Sequence, residues 1–129
     1  GVLTLDRCLE YLEEPEMAQA AQREQRLHQD LLAGLQGLEG VELHCPGHGP
    51  GRIPVVSLNL PGWLPHDVGM VLDGDYGIAV RTGLHCAPLL HQDLGNGQAG
   101  SVRVSLGRYN TDGDVKALLE ALADMLNPK

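Results

Sequence analysis

The stretch SVRVSLGRYNTDGDVKALLEALADML, residues 101–126, changes its hydrophobic period once. In SVRVSL, residues 101–106, Val102, Val104 and Leu106 alternate with Arg103 and Ser105, the pattern of a strand with one face inward. Beyond it the apolar positions become Val115, Leu118, Leu119, Leu122 and Leu126, the spacing of a helix that buries one side. Asn110 or Thr111 supplies the N-cap between the two, because either side chain accepts from an orphan backbone N–H of the first turn.

The same reading extends upstream. IPVVSLNL (53–60) is a strand by its β-branched residues, and VELHC (41–45) is a shorter one. Between them PGHGPGR contains too much Gly and Pro for regular structure. Residues 2–13 form a short helix, or the tail of one, with Leu5, Leu9 and Leu12 on one side and Cys8 among them as a small core or interface residue. Pro15 opens a longer helix, about 16–38, where its missing N–H costs nothing. Leu27, Leu31, Leu35 and Leu38 line that helix, and Gly40 fits its stop. Pro65 and Asp67 introduce another helix, carrying Val68, Val71 and Leu72 and ending near Gly74. YGIAV (76–80) reads as a strand covered on both faces. Residues 81–100 form a long Gly- and His-containing loop with one helical turn near Pro88–Gln92. The order is α-α-β-β-α-β-loop-β-α. It predicts an α+β two-layer fold, a small sheet of about four strands with helices mainly on one face.

Composition bounds the function. The 129 residues suit a single domain, and with aromatics at 3% and no Phe the core must rest on Leu, Val, Ile and Ala. Net charge is -8 with nine scattered Lys and Arg, which argues against binding nucleic acid or an anionic membrane. No apolar run approaches the ~18 residues of a spanning helix, and the N-terminus has no signal-peptide plan. Cys8, Cys45 and Cys86 are odd in number and widely spaced, unlike a disulfide framework, so a reducing cytoplasm is the expected compartment. The chain opens on an uncapped helical pattern at Gly1, so it is expected to begin inside a larger protein.

RTGLHCAPLLH (81–91) carries the chemistry, placing Cys86 near Arg81, His85 and His91 in a glycine-containing loop. Cationic or hydrogen-bonding neighbours and exposure make a thiol reactive, whereas a buried cysteine at a loop hinge needs neither, and both readings stand on the residues alone. A composite metal site can be drawn from His44, Cys45, His48, His85, Cys86 and His91. It lacks CxxC spacing, and no metal is expected. Arg103, in mid-strand, either points to solvent or clamps a carboxylate, and Arg81 either ends its strand or faces the same site.

GIAVRTGLHCAPLLH, followed by SVRVSLGRYNTDGDVKALLEAL, resembles the C-terminal small domain of cysteine desulfurases in the pyridoxal-phosphate-dependent class V aminotransferase family. PVVSLNLPG and HDVGMVLDGDYGIAVRTG upstream match that domain too, so the resemblance covers nearly the whole chain. It implies that 1–129 is one domain of a larger fold-type-I enzyme and that 1–14 ends an interdomain helix. It implies that Cys86 takes sulfur from L-cysteine as a persulfide, leaving alanine, while Arg103 holds the substrate carboxylate. Arg81 and His85 would line the substrate side of the cysteine loop.

Many relatives have a second histidine where this chain has Leu84. The family's Schiff-base lysine belongs to a preceding large domain, and neither Lys116 nor Lys129 has its Ser-x-His-Lys setting. The isolated chain is therefore expected to bind no pyridoxal phosphate and to be inactive, since C–S chemistry needs that electron sink. Implied partners are L-cysteine, a sulfur-acceptor protein, the large domain and a second copy in a homodimer, with a role in iron–sulfur cluster assembly. The alternatives are a stand-alone sulfur-acceptor or persulfide-carrier module, or a relative acting as a selenocysteine lyase or cysteine C–S lyase.

Overall fold

The computed structural model describes residues 1–12, 15–44 and 52–127. In chain order the elements are α1 (Val2–Leu12), α2 (Pro15–Gln36), β1 (Glu42–Leu43), β2 (Val55–Asn59), α3 (Pro65–Tyr76), β3 (Arg81–Gly83), α4 (Pro88–Asp93), β4 (Ser101–Ser105) and α5 (Asp112–Leu126). The four strands form one antiparallel sheet in the order β1-β2-β4-β3. The α+β architecture expected from the sequence is the one observed.

Register sorts the side chains. Val56 lies opposite Val104 and Leu58 opposite Val102, and all four are buried. They form the floor of a single core that Leu27, Leu31 and Leu35 of α2, Val68 and Leu72 of α3, and Val115, Leu118 and Leu122 of α5 close from above. Period 2 then sends Ser57, Ser101, Arg103 and, across from it, Arg81 to the other face. Leu122→Ala in this core is expected to cost about 2–5 kcal/mol through lost burial and the cavity left behind. Chemical denaturation checks this, and an unchanged midpoint would contradict the packing.

The α5 start is the reciprocal cap its sequence calls for. The Thr111 hydroxyl accepts from the Asp114 N–H at 3.4 Å while the Asp114 carboxylate accepts from the Thr111 N–H at 2.8 Å. That backbone hydrogen bond, helped by Asn110 and the Thr111 hydroxyl, holds the Asp114 carboxyl below the usual carboxylate range. The inward face of α5 also includes Ala121 and Met125, with Leu126 only half-buried. α2 ends at Gln36, so Leu38 lies just beyond it and packs half-buried against the core. Gly40 follows in a turn at φ 85°.

Three expectations change. VELHC contributes only Glu42–Leu43 to the sheet, and Cys45 lies outside the described residues. YGIAV is not a strand. α3 continues past Gly74 to Tyr76 and stops on Gly77, in the left-handed region at φ 66°, which glycine adopts without a Cβ penalty. The Gly77 N–H bonds the Asp73 carbonyl and the Ile78 N–H the Leu72 carbonyl at 2.8 Å, so the first part of the apolar run closes a helix end. Ile78 and Val80 pack against the core without ladder pairing, and the strand begins only at Arg81. Third, α1 buries nothing. Leu5, Leu9 and Leu12 are exposed, and so is Cys8, so of its two readings the core one gives way: no other described element covers its face. α1 is tied on through Arg108, whose guanidinium lies 4.5 Å from the Tyr11 ring centroid and 4.9 Å from that of Tyr109.

Candidate active site

The polar face of the sheet is capped by the segment joining β3 to β4. Its neck is formed by Gly83 at φ 103° and Gly100 at φ 74°. A Cβ on Gly100 would lie 2.1 Å from the Gly83 carbonyl oxygen, so only glycine lets the two backbones meet there. Gly100→Ala is expected to destabilise the protein by about 1–3 kcal/mol, since the methyl must displace backbone and the φ is unfavourable. A melting temperature equal to that of the unsubstituted chain would contradict this close approach.

Just past the neck, His85 and Cys86 both take positive φ, 52° and 61°. Two consecutive non-glycine residues in this region are unusual, and such strain collects at working sites. Cys86 is exposed. The Ala87 N–H bonds the Leu84 carbonyl at 2.8 Å, so the cysteine sits at a tight turn leading into α4. The expected helical turn after Pro88 is α4 itself.

His85 turns back from the turn onto the sheet. Its Nε2 lies 3.1 Å from the Ser101 carbonyl, which can only accept, so Nε2 carries the proton. The Ser101 hydroxyl is 3.4 Å from the same nitrogen and 2.6 Å from the Ser57 hydroxyl. Burial pushes the His85 pKa below the ordinary imidazole value, with Arg103, His91 and Arg81 adding repulsion against the hydrogen bond to Ser101. His85 is therefore neutral at pH 7 and gives Cys86 no positive charge. The cationic help that the sequence suggested from this residue is absent, and Arg81, exposed on β3, is the permanent cation of the motif.

His91, from α4, is 2% exposed, and its ring centroid is 5.8 Å from that of His85. Arg103 is half-buried, directly opposite Arg81 in β3 and Ser57 in β2. Two guanidiniums on one face at paired positions repel unless an anion lies between them. Arg103 also keeps its Nε buried without a hydrogen-bond partner. The structure thus brings Cys86, His85, Arg81 and Arg103 to one sheet face and its covering loop.

Sequence reasoning missed Ser57, Ser101 and the far tether of the loop, where Asn96 donates to His44 Nε2 at 3.1 Å. The available signal for Ser101 was its period-2 spacing from Arg103. Among the described residues, no group of three or more His, Cys, Asp or Glu is placed to hold a metal ion, and Cys45 and His48 lie outside them. Lys116 is exposed on α5 and paired with Glu120 at 3.6 Å, and Lys129 is not among the described residues. The described residues therefore do not fit a pyridoxal phosphate bound through a lysine near Cys86.

The class-V aminotransferase family matches residues 1–118. The chain belongs to that family. Members of it that act as cysteine desulfurases are pyridoxal-phosphate dependent in general. Over 123 residues the chain is 40% identical to a probable cysteine desulfurase of Pseudomonas putida, covering 95% of this chain and 29% of that protein. It is 37% identical to a cysteine desulfurase of Escherichia coli, again over 95% of the chain and 29% of the relative. A solved structure of an Escherichia coli cysteine desulfurase in an S-sulfonic acid form matches 98% of this chain and 30% of its own, with TM-score 0.83 and 29% identity. The apo cysteine desulfurase of Thermococcus onnurineus matches 84% of the chain and 26% of its own, with TM-score 0.76 and 35% identity. The chain thus spans under a third of the length of these class-V relatives. No described helix is long and apolar enough to cross a membrane.

Proposed function

We propose that this class-V chain is the thiol-bearing domain of a cysteine desulfurase, with Cys86 as the residue that receives sulfur from L-cysteine. The observation that carries the proposal is the placement of an exposed Cys86, in left-handed conformation, on the loop that covers the Arg81–Arg103 face. The relatives reported above, named as cysteine desulfurases or a probable one, support it.

In this reading Arg103 takes the substrate carboxylate, since its planar fork can bind two oxygens, and Arg81 opposite it adds charge to the same anion. The Cys86 thiolate attacks the substrate sulfur, an S–S bond forms as the substrate C–S bond breaks, and Cys86 leaves as a persulfide. Bound pyridoxal phosphate would supply the electron sink for the pair that the broken C–S bond leaves on carbon, and that carbon takes a proton to give alanine. Because the chain aligns with under a third of its relatives' length, we assign the anchoring of that cofactor to the rest of a longer protein. α1, with Leu5, Leu9 and Leu12 exposed, is where that remainder would pack. The test is assay of L-cysteine turnover by the complete enzyme with and without Cys86.

A further inference from the structure

The Leu84–Ala87 backbone hydrogen bond closes the turn but leaves His85 and Cys86 both in the left-handed region, where a non-glycine residue is strained. A second restraint comes from the His85 imidazole, which reaches the carbonyl of Ser101, a fully buried strand residue whose hydroxyl is hydrogen-bonded to Ser57 between β4 and β2. We infer that His85 is a positioning residue: seated on Ser101 as the neutral Nε2–H tautomer, it holds Cys86 in the conformation that presents the thiol. The inference rests on the reading of Cys86 as the nucleophile.

The surroundings of the ring select that tautomer. Arg103 on β4, Arg81 on β3 and His91 on α4 repel a second proton on the ring, while its own Nδ1 is buried with no partner. A second proton would enter at Nδ1, without an acceptor and against the repulsion of two guanidiniums. His85 therefore binds a proton more weakly in its seat than when free, where an imidazole titrates near ~6.5. By linkage the seat is fully stable above that pH and loses stability as pH falls from it toward the lowered seated value. The thiol's presentation should fade over the same window.

The experiment is NMR of the full chain and of two variants. His85→Gln keeps a donor that can reach the Ser101 carbonyl but does not titrate. His85→Asn tolerates left-handed φ yet is too short to reach. In the unsubstituted chain the ring ¹⁵N shifts should show the proton on Nε2 at pH 7. The Cys86 backbone coupling should report left-handed φ, retained in His85→Gln and lost in His85→Asn. On acidification below ~6.5 the unsubstituted chain should lose that φ and His85→Gln should not. In the complete enzyme, persulfide formation should be about a hundredfold slower for His85→Asn and near normal for His85→Gln, because misplacement of a reacting atom carries that cost. A proton on Nδ1, a cationic ring at pH 7, or an unchanged Cys86 φ in His85→Asn would overturn the inference. The shifts of the unsubstituted chain decide it even if a variant fails to fold. Its failure differs from failure of the nucleophile reading, which appears instead as sulfide release that survives loss of Cys86 while His85 is seated as described.

Discussion

Cys86→Ser in the complete enzyme is expected to lower sulfide release from L-cysteine by about a thousandfold or more, since removing a nucleophile abolishes its covalent step. A serine hydroxyl is nearly isosteric but attacks sulfur poorly, so binding of L-cysteine should persist while turnover stops. Cys8→Ser is the matched control. Cys8, on α1 and exposed in this chain, lies outside the β3–β4 segment, so its loss should leave turnover unchanged. The assay is sulfide and alanine production with a reductant present. Equal turnover in Cys86→Ser and the unsubstituted enzyme would return the β3–β4 segment to a structural role.

Arg103→Lys is expected to raise KM for L-cysteine about tenfold, and Arg103→Ala about a hundredfold, with smaller changes in kcat. Lysine keeps the charge and loses the two-pronged geometry, whereas alanine loses both and leaves Arg81 facing an empty position. The physical basis is the cross-strand pairing of Arg81 with Arg103 and the unpartnered Nε, which together make this face favourable for a carboxylate. Steady-state kinetics of the complete enzyme measure it. Normal KM values in both variants would mean that Arg103 only decorates the sheet.

Long periodic segments were legible in the sequence because burial imposes their period. The strand at SVRVSL, the capped helix after it and the leucine face of α2 all follow from side-chain spacing. YGIAV failed because a short apolar run looks alike whether it pairs in a sheet or closes a helix end, and the left-handed Gly77 decided it. For Cys8, read as a core or interface residue, helical spacing marks an apolar face without saying whether the same chain covers it, and no other described element does. At the site, the motif named Cys86, His85, Arg81 and Arg103 but not their relation. Which face Arg103 takes, and its pairing with Arg81, are matters of strand register. The neutrality of His85 comes from burial and from a carbonyl 16 positions away, a contact that local spacing does not encode.

The central claim is that Cys86 itself carries the transferred sulfur. Its most direct measurement is peptide mass analysis of the complete enzyme after exposure to L-cysteine without an acceptor, with free thiols trapped by alkylation. The expected result is one added sulfur on the peptide containing Cys86, removed by a reductant and absent from the Cys8 peptide. Sulfide production with the Cys86 peptide never gaining sulfur would contradict the account.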